Sequence, residues 1–158
     1  MRTLCAALLI LFASLSLMAA EEKAPPKPSA RDKCPVCGMF VAKYPDWTAV
    51  MLFRDGSRVF FDGAKDMFKY YLDMKRYAPS KNPSGIEAVR VTDYYSLTPI
   101  DGRDAYYVIG SDVYGPMGRE LIPFAKESDA KEFLKDHKGK GILRFKEVKQ
   151  ETLKGLDS

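Results

Sequence analysis

The succession of apolar runs, turns and one amphipathic segment in the middle of the chain restricts the fold most strongly. Residues 47–53 are almost continuously apolar, Asp55-Gly56 is typical of a hairpin turn, and residues 58–61 predict the returning strand. Residues 64–71 then place apolar side chains at helical spacing. Residues 86–95 predict another strand, so the order is strand, strand, helix, strand.

The same order of elements recurs from residue 105 onward. The predicted strands of this second pass cover residues 105–110, 121–124 and 142–148. A loop over residues 113–118 separates the first two of these strands. Ser128 is in a position to cap a helix over residues 129–136, whose apolar side chains fall on one face.

The repeated order predicts an α+β protein built from two similar ββαβ modules, approximately residues 34–97 and 98–158. The alternative is a single α+β domain whose elements happen to alternate in this way. A module of roughly 50 residues buries only a marginal core by itself. We therefore expect the two modules to pack against each other.

The first 33 residues predict export followed by a linker. Residues 1–20 have a positive Arg2 before an apolar run that ends at Ala20, which is typical of a secretory signal peptide. An uncleaved membrane anchor is the alternative. Residues 21–33 are rich in proline and predict an extended, solvated linker. Export would place the domain at residues 34–158 in an oxidising, periplasmic compartment.

Scarce residue types exclude several classes of function. The chain has three cysteines and one histidine, so a zinc site with several imidazoles cannot be built, and a Ser-His-Asp enzyme would depend on His137 alone. Cys5 lies within the predicted signal peptide, which leaves Cys34 and Cys37 for the domain. The net charge of +4 is small and scattered, and we expect no nucleic-acid binding.

The segment Cys-Pro-Val-Cys-Gly-Met at residues 34–39 concentrates the chemistry, and three interpretations stay open. Two cysteines at this spacing can hold a structural zinc ion, although a second cysteine pair is missing. The same spacing is found in dithiol oxidoreductases, although these place it at the start of a helix after a strand. Within this second, redox interpretation, a plain disulfide across two residues would be strained and would stabilise little.

A third interpretation adds the neighbouring methionines. Met39 follows Cys37 closely, and Met117 lies in a Gly-Pro-Met-Gly loop instead of a strand or helix pattern. Thiolate and thioether sulfurs are soft ligands that together select Cu(I), which is satisfied by two or three ligands. The residues Cys34, Cys37, Met39 and Met117 therefore predict a Cu(I) site, with His137 a weaker candidate.

Several motifs in order resemble the NosL-like family, the accessory proteins of nitrous-oxide reductase. They are the run at residues 34–47 and the segments 60–63, 66–68, 91–95, 105–111 and 115–118. The resemblance implies two ββαβ modules and a non-enzymatic, exported Cu(I) metallochaperone. It also implies soft ligation by Cys34 and Cys37, with Met39 and Met117 as thioether partners.

The partners that the resemblance implies are nitrous-oxide reductase and its membrane copper-transport and maturation complex. Members of this family are commonly lipoproteins attached through a cysteine at the cleavage site. This sequence has Ala19-Ala20-Glu21 there, which puts lipid attachment in doubt. Another copper enzyme as client, or copper buffering or sensing, is an alternative role.

Overall fold

A computed structural model describes residues 25–157 of the chain. The described part contains short strands and a few helices. The strands are β1 Ala49–Phe53, β2 Arg58–Phe61, β3 Ile86–Thr92, β4 Pro99–Asp101, β5 Tyr106–Ile109, β6 Tyr114–Gly115, β7 Gly118–Arg119, β8 Ile122–Phe124 and β9 Gly141–Arg144. The α-helices are α1 Ala64–Leu72, α2 Met74–Tyr77, α3 Glu127–Asp136 and α4 Gln150–Leu156.

Two antiparallel sheets repeat one arrangement. The first sheet has the order β2-β1-β3-β4, and the second has the order β8-β5-β9. In each, the first strand in sequence lies between the second strand and the strand that follows the helix. The predicted α+β class with two ββαβ units is confirmed. The division at residues 97 and 98 stays a prediction, and β4, which follows it, pairs with β3 of the first sheet.

The two units share a hydrophobic core. Phe68 of α1 contacts Tyr107 of β5, with ring centroids 5.0 Å apart, and Phe145 beyond β9, at 4.9 Å. Both partners come from the second half of the chain. A second, smaller core forms around Phe124 and Phe133 beneath α3. The expectation that the two halves pack against each other therefore agrees with the structure.

Strand β9 ends earlier than the predicted strand over residues 142–148. The Arg144 amide donates to the Glu147 carboxylate at 2.7 Å, which closes a 3₁₀ turn at Phe145–Glu147. This turn places the Phe145 side chain in the core. Strand β3 likewise ends at Thr92, because the Asp93 carboxylate accepts hydrogen bonds from the amides of Tyr95 and Ser96 and turns the chain.

Two further local predictions are wrong. The predicted loop over residues 113–118 forms part of the hairpin of β6 and β7, whose tight turn uses Gly118 at φ +85°. Helix α3 begins at Glu127, so Ser128 lies within its first turn and does not cap it. The Ser128 hydroxyl hydrogen-bonds to the Asp129 carboxylate at 3.0 Å instead of to a backbone amide.

The predicted signal peptide at residues 1–20 lies outside the described residues. Of the predicted linker, residues 25–33 are described, and its prolines are only partly solvated. Pro25, Pro26 and Pro28 are half-buried and line a groove of about 550 Å³ together with Val50 and Val91. Between residues 25 and 157, no helix has the length and apolar character needed to cross a membrane.

Candidate metal centre

A tight turn directs both cysteine sulfurs to one side. Lys33 and Phe40 form an antiparallel bridge at its base. Within the turn, the Cys34 amide donates to the Met39 carbonyl at 2.9 Å, and the Gly38 amide donates to the Cys34 carbonyl at 2.8 Å. Gly38 has φ +80°, a conformation that favours glycine.

Helix α1 presents its N-terminus to this turn. Strand β2 ends at Phe61, and Asp62 and Gly63 lead directly into the first turn of the helix, which contains Asp66. The side chains of Asp62 and Asp66 are buried, with 1% and 3% exposure. The positive end of the helix dipole favours negative charge at this position, which helps the structure hold two carboxylates there.

The two cysteines and the two aspartates form one cluster, which we call the sulfur–carboxylate cluster. The Cys34 Sγ donates to Asp66 Oδ2 at 3.4 Å, and the Cys37 Sγ donates to Asp62 Oδ1 at 3.3 Å. One ligand atom from each of the four residues lies within 4.8 Å of all the others. Four ligand atoms this close can surround a single metal ion.

Burial keeps both thiols protonated in the metal-free protein. Burial raises the pKa of the Cys34 thiol well above its ordinary value, and the charge of Asp66 raises it further, against hydrogen bonds from the amides of Cys37 and Val36. The pKa of Cys37 rises to about 12, mainly through burial, while the Met39 amide opposes the rise. A metal must therefore displace the thiol protons before it binds.

The two predicted methionine ligands differ in their position and exposure. Met39 is half-buried and belongs to the cysteine turn itself. Met117 lies at the tip of the β6–β7 hairpin and is 43% exposed. The Met117 carbonyl accepts a hydrogen bond from Lys65 Nζ at 2.8 Å, and Lys65 adjoins Asp66 in α1. The hairpin thus contacts the first turn of α1, which contains Asp66. Ligation of a metal by either thioether stays a prediction.

His137 takes no part in the cluster. It follows the last residue of α3, where its ring stacks on Phe133 with centroids 4.3 Å apart. Its Nδ1 lies 3.2 Å from an Asp112 carboxylate oxygen. These contacts describe a surface histidine that packs on the second core.

Sequence reasoning missed Asp62 and Asp66 as members of the site. They lie 25 and 32 residues beyond the cysteines that they contact, so no local spacing connects them. The sequence did contain a signal. Two acidic residues lie four positions apart at the start of an amphipathic helix, among apolar residues. This pattern is unusual, because carboxylates on helices normally face solvent.

The arrangement differs from that of a dithiol oxidoreductase, in which the cysteine pair opens a helix. Here the pair lies in a turn before a 3₁₀ segment, Val41–Lys43, and the helix that it faces is α1. Cys34 and Cys37 are both free thiols. Their high pKa values also disfavour attack on a disulfide, for which the thiolate is the reactive form.

Comparisons with known proteins agree on one family. The sequence matches the NosL family model over residues 25–153. The copper-binding lipoprotein NosL of Stutzerimonas stutzeri is 34% identical over 129 residues, covering 77% of this chain and 64% of the relative. The chain therefore spans less than two thirds of the length of that curated relative.

A solved structure is similar over most of the described region. The crystal structure of the copper chaperone NosL from Shewanella denitrificans matches with a TM-score of 0.66 and 26% sequence identity. The match covers 82% of this chain and 98% of that chain. The fold is thus shared across the whole of that structure.

Proposed function

The chain belongs to the NosL family, and from that premise we propose that it is a non-enzymatic carrier of Cu(I). One observation carries the proposal: the sulfurs of Cys34 and Cys37 meet two buried carboxylates at the N-terminus of α1. The relatives named as copper-binding and as a copper chaperone support the choice of metal.

The donor set fits Cu(I). Two thiolates and one or two thioethers are soft ligands, and Cu(I) is satisfied by few of them. In the proposed site Cys34 and Cys37 provide the thiolates, and Met39 and Met117 provide the thioethers. Asp66 Oδ2 and Asp62 Oδ1 accept hydrogen bonds from the two thiols and can pass these protons to solvent as the metal binds.

The graded exposure of the sulfur residues suits a protein that must release its metal. Cys34 is 1% exposed, Cys37 is partly exposed and Met117 is 43% exposed. A ligand of a receiving protein can therefore approach from the side of Cys37 and Met117, while Cys34 stays covered. A closed structural site would bury all of its ligands.

We further propose export to the periplasm and delivery of copper for the maturation of nitrous-oxide reductase with its membrane copper-transport complex. The apolar run that follows Arg2 and ends at Ala20, together with the family membership, supports this assignment. Mixing the Cu(I)-loaded protein with copper-free nitrous-oxide reductase tests the client. Recovery of copper and of nitrous-oxide reduction is expected, and retention of the copper by this protein would argue against that client.

The geometry also favours a second candidate, a structural zinc ion held by the sulfur–carboxylate cluster. Two thiolates and two carboxylates make a four-ligand set that Zn²⁺ can accept. Metal competition and zinc removal distinguish a Cu(I) carrier from a structural zinc protein. A Cu(I) carrier retains Cu(I) in the presence of excess Zn²⁺, whereas a structural zinc protein loses thermal stability when a chelator removes zinc.

An anaerobic titration with a coloured Cu(I) chelator as competitor tests the main proposal. We expect one Cu(I) per chain, and we expect Cys37→Ser to weaken binding by more than about 100-fold, beyond the usual effect of changing a residue that only supports a ligand. Met117→Leu should weaken binding by about tenfold or more. Met74→Leu is the matched control, because Met74 is a buried methionine of α2. Unchanged affinity in Cys37→Ser would refute the proposal.

A further inference from the structure

Lys65 is a buried lysine at the meeting point of three elements. Its side chain is 3% exposed although it carries an ammonium group. Lys65 Nζ donates to the Met117 carbonyl at 2.8 Å and lies 3.2 Å from Asp157 Oδ1, just beyond α4. Burying an ammonium group is unfavourable unless such partners compensate. We therefore expect the buried Lys65 to have a specific structural role.

The Lys65 amide has a partner from the second half of the chain. It donates to the buried carboxylate of Glu120, which also accepts from the Leu121 amide at 2.9 Å. Glu120 directly follows β7, and its side chain approaches Gly115 of β6 closely. The backbone and the side chain of Lys65 therefore both contact the segment that carries Met117.

The tip of this segment has little regular structure of its own. Among residues 25–157, strands β6 and β7 pair only with each other, through two residues each. Tyr114 and Met117 are 60% and 43% exposed, so the hairpin has little apolar burial of its own. A two-stranded hairpin of this size is not stable in isolation, and contacts with the rest of the protein must set its position.

We propose that Lys65 is a positioning residue that holds the Met117 hairpin against the first turn of α1, with the thioether within reach of copper at the sulfur–carboxylate cluster. The inference rests on the proposed function, because it takes Met117 as a copper ligand. Lys65 binds the carbonyl of Met117 and adjoins Asp66, so a single residue links the hairpin to the cluster. Without it, the thioether must be ordered at the moment of binding, which lowers affinity.

A double-mutant cycle with anaerobic Cu(I) titration tests this inference. Lys65→Leu removes the ammonium and adds no sulfur. We expect it to weaken Cu(I) binding by about tenfold in the wild-type background, the size of effect typical of residues that orient a ligand. In the Met117→Leu background the same substitution should change the affinity less than about twofold, since no thioether remains to be positioned.

Asp157→Asn supplies the matched control. It removes the negative charge beside Lys65 but keeps a side-chain oxygen that can accept from Nζ, so Lys65 retains both partners, including the Met117 carbonyl. We therefore expect wild-type affinity. An equal loss from Lys65→Leu in both backgrounds would overturn the inference, since the lysine would then act independently of Met117. An equal loss in Asp157→Asn and Lys65→Leu would also overturn it. Failure of the wild type to bind Cu(I) would overturn the proposed function, and this inference with it.

If Lys65→Leu does not fold, NMR of the lysine ammonium groups in the wild-type protein tests the role of Lys65 instead. In protein labelled with ¹⁵N at lysine, we expect one ammonium resonance protected from exchange with water. That resonance should shift on addition of one equivalent of Cu(I), and the shift should be much smaller in Met117→Leu. The absence of a protected ammonium, or equal shifts in the two proteins, would contradict the inference.

Discussion

At the scale of single residues, burial of the two thiols determines how the site responds to pH. Cys34 is almost fully buried, and the pKa values of both thiols lie well above neutrality, that of Cys37 at about 12. The thiolate is the form that binds the metal. Protons therefore compete with Cu(I) at every pH below these pKa values.

We predict that Cu(I) affinity rises with pH, with a slope set by two protons. Because both thiols stay protonated below their raised pKa values, each unit of pH between 6 and 8 should strengthen apparent binding by about 100-fold, or two powers of ten. Chelator competition at several pH values measures this slope. Cys37→Ser should reduce it to about one power of ten per unit, whereas Met117→Leu should leave it unchanged. A wild-type slope near zero would contradict protonated thiols.

The cysteines and the aspartates differ in how far they could be predicted. Cys34 and Cys37 stand two residues apart from each other, so their local spacing was enough to indicate a shared centre. Asp62 and Asp66 reach the same point only because β2 and α1 fold over the cysteine turn. Contacts of that kind depend on tertiary packing, which a single sequence does not display.

At the scale of elements, the start of α1 joins the two halves of the chain. Gly63 precedes the helix in extended backbone, and a Cβ at this position would overlap the Glu120 carboxylate, which hydrogen-bonds to the amides of Lys65 and Leu121. Glu120 is fully buried, and this raises its pKa to about 8. A residue larger than glycine would therefore displace the buried Glu120 side chain.

We therefore predict that Gly63→Ala destabilises the protein. Displacing Glu120 breaks hydrogen bonds between buried groups, and the loss should be about 1–3 kcal/mol in the free energy of unfolding by urea denaturation. Gly155→Ala is the matched control. A Cβ at Gly155 in α4 has open space, and alanine is the better helix former, so stability should stay level or rise by up to about 1 kcal/mol. Equal stability in Gly63→Ala and wild type would contradict the close approach of the Glu120 side chain to Gly63.

Some helix and strand boundaries could be predicted from the local sequence pattern, and others could not. The strand at Arg58–Phe61 and the helix that begins at Ala64 agree with their predicted positions. A continuous apolar run indicates the strand, and apolar residues at helical spacing indicate the helix. The ends of β3 and β9 were misplaced because the Asp93 and Glu147 carboxylates accept hydrogen bonds from nearby backbone amides, which turns the chain there. Such bonds override a continuing apolar pattern.

At the scale of the whole molecule, the shared core makes the two ββαβ units interdependent. Phe68 of the first unit packs between Tyr107 and Phe145 of the second. Trp47, which precedes β1, packs on the smaller core, with its ring centroid 6.0 Å from that of Tyr94. Each core thus contains residues from both units, and neither unit has a complete core by itself.

We predict that Phe68→Ala lowers the stability of the entire protein. Removing a buried ring should cost about 3–5 kcal/mol of the free energy of unfolding. Denaturation followed by Trp47 fluorescence and by far-UV circular dichroism should give coincident transitions, both shifted. Tyr114→Ala is the control, since Tyr114 is 60% exposed and its loss should change stability by less than about 1 kcal/mol. Two separate transitions would show that the units unfold independently.

X-ray absorption at the copper edge, on protein loaded with one equivalent of Cu(I), identifies the atoms that bind the metal. We expect a Cu(I) edge and an inner coordination shell made of sulfur, with one sulfur fewer in Cys37→Ser and in Met117→Leu. A shell made only of oxygen and nitrogen atoms would contradict it. So would a sulfur shell that is unchanged in Cys37→Ser.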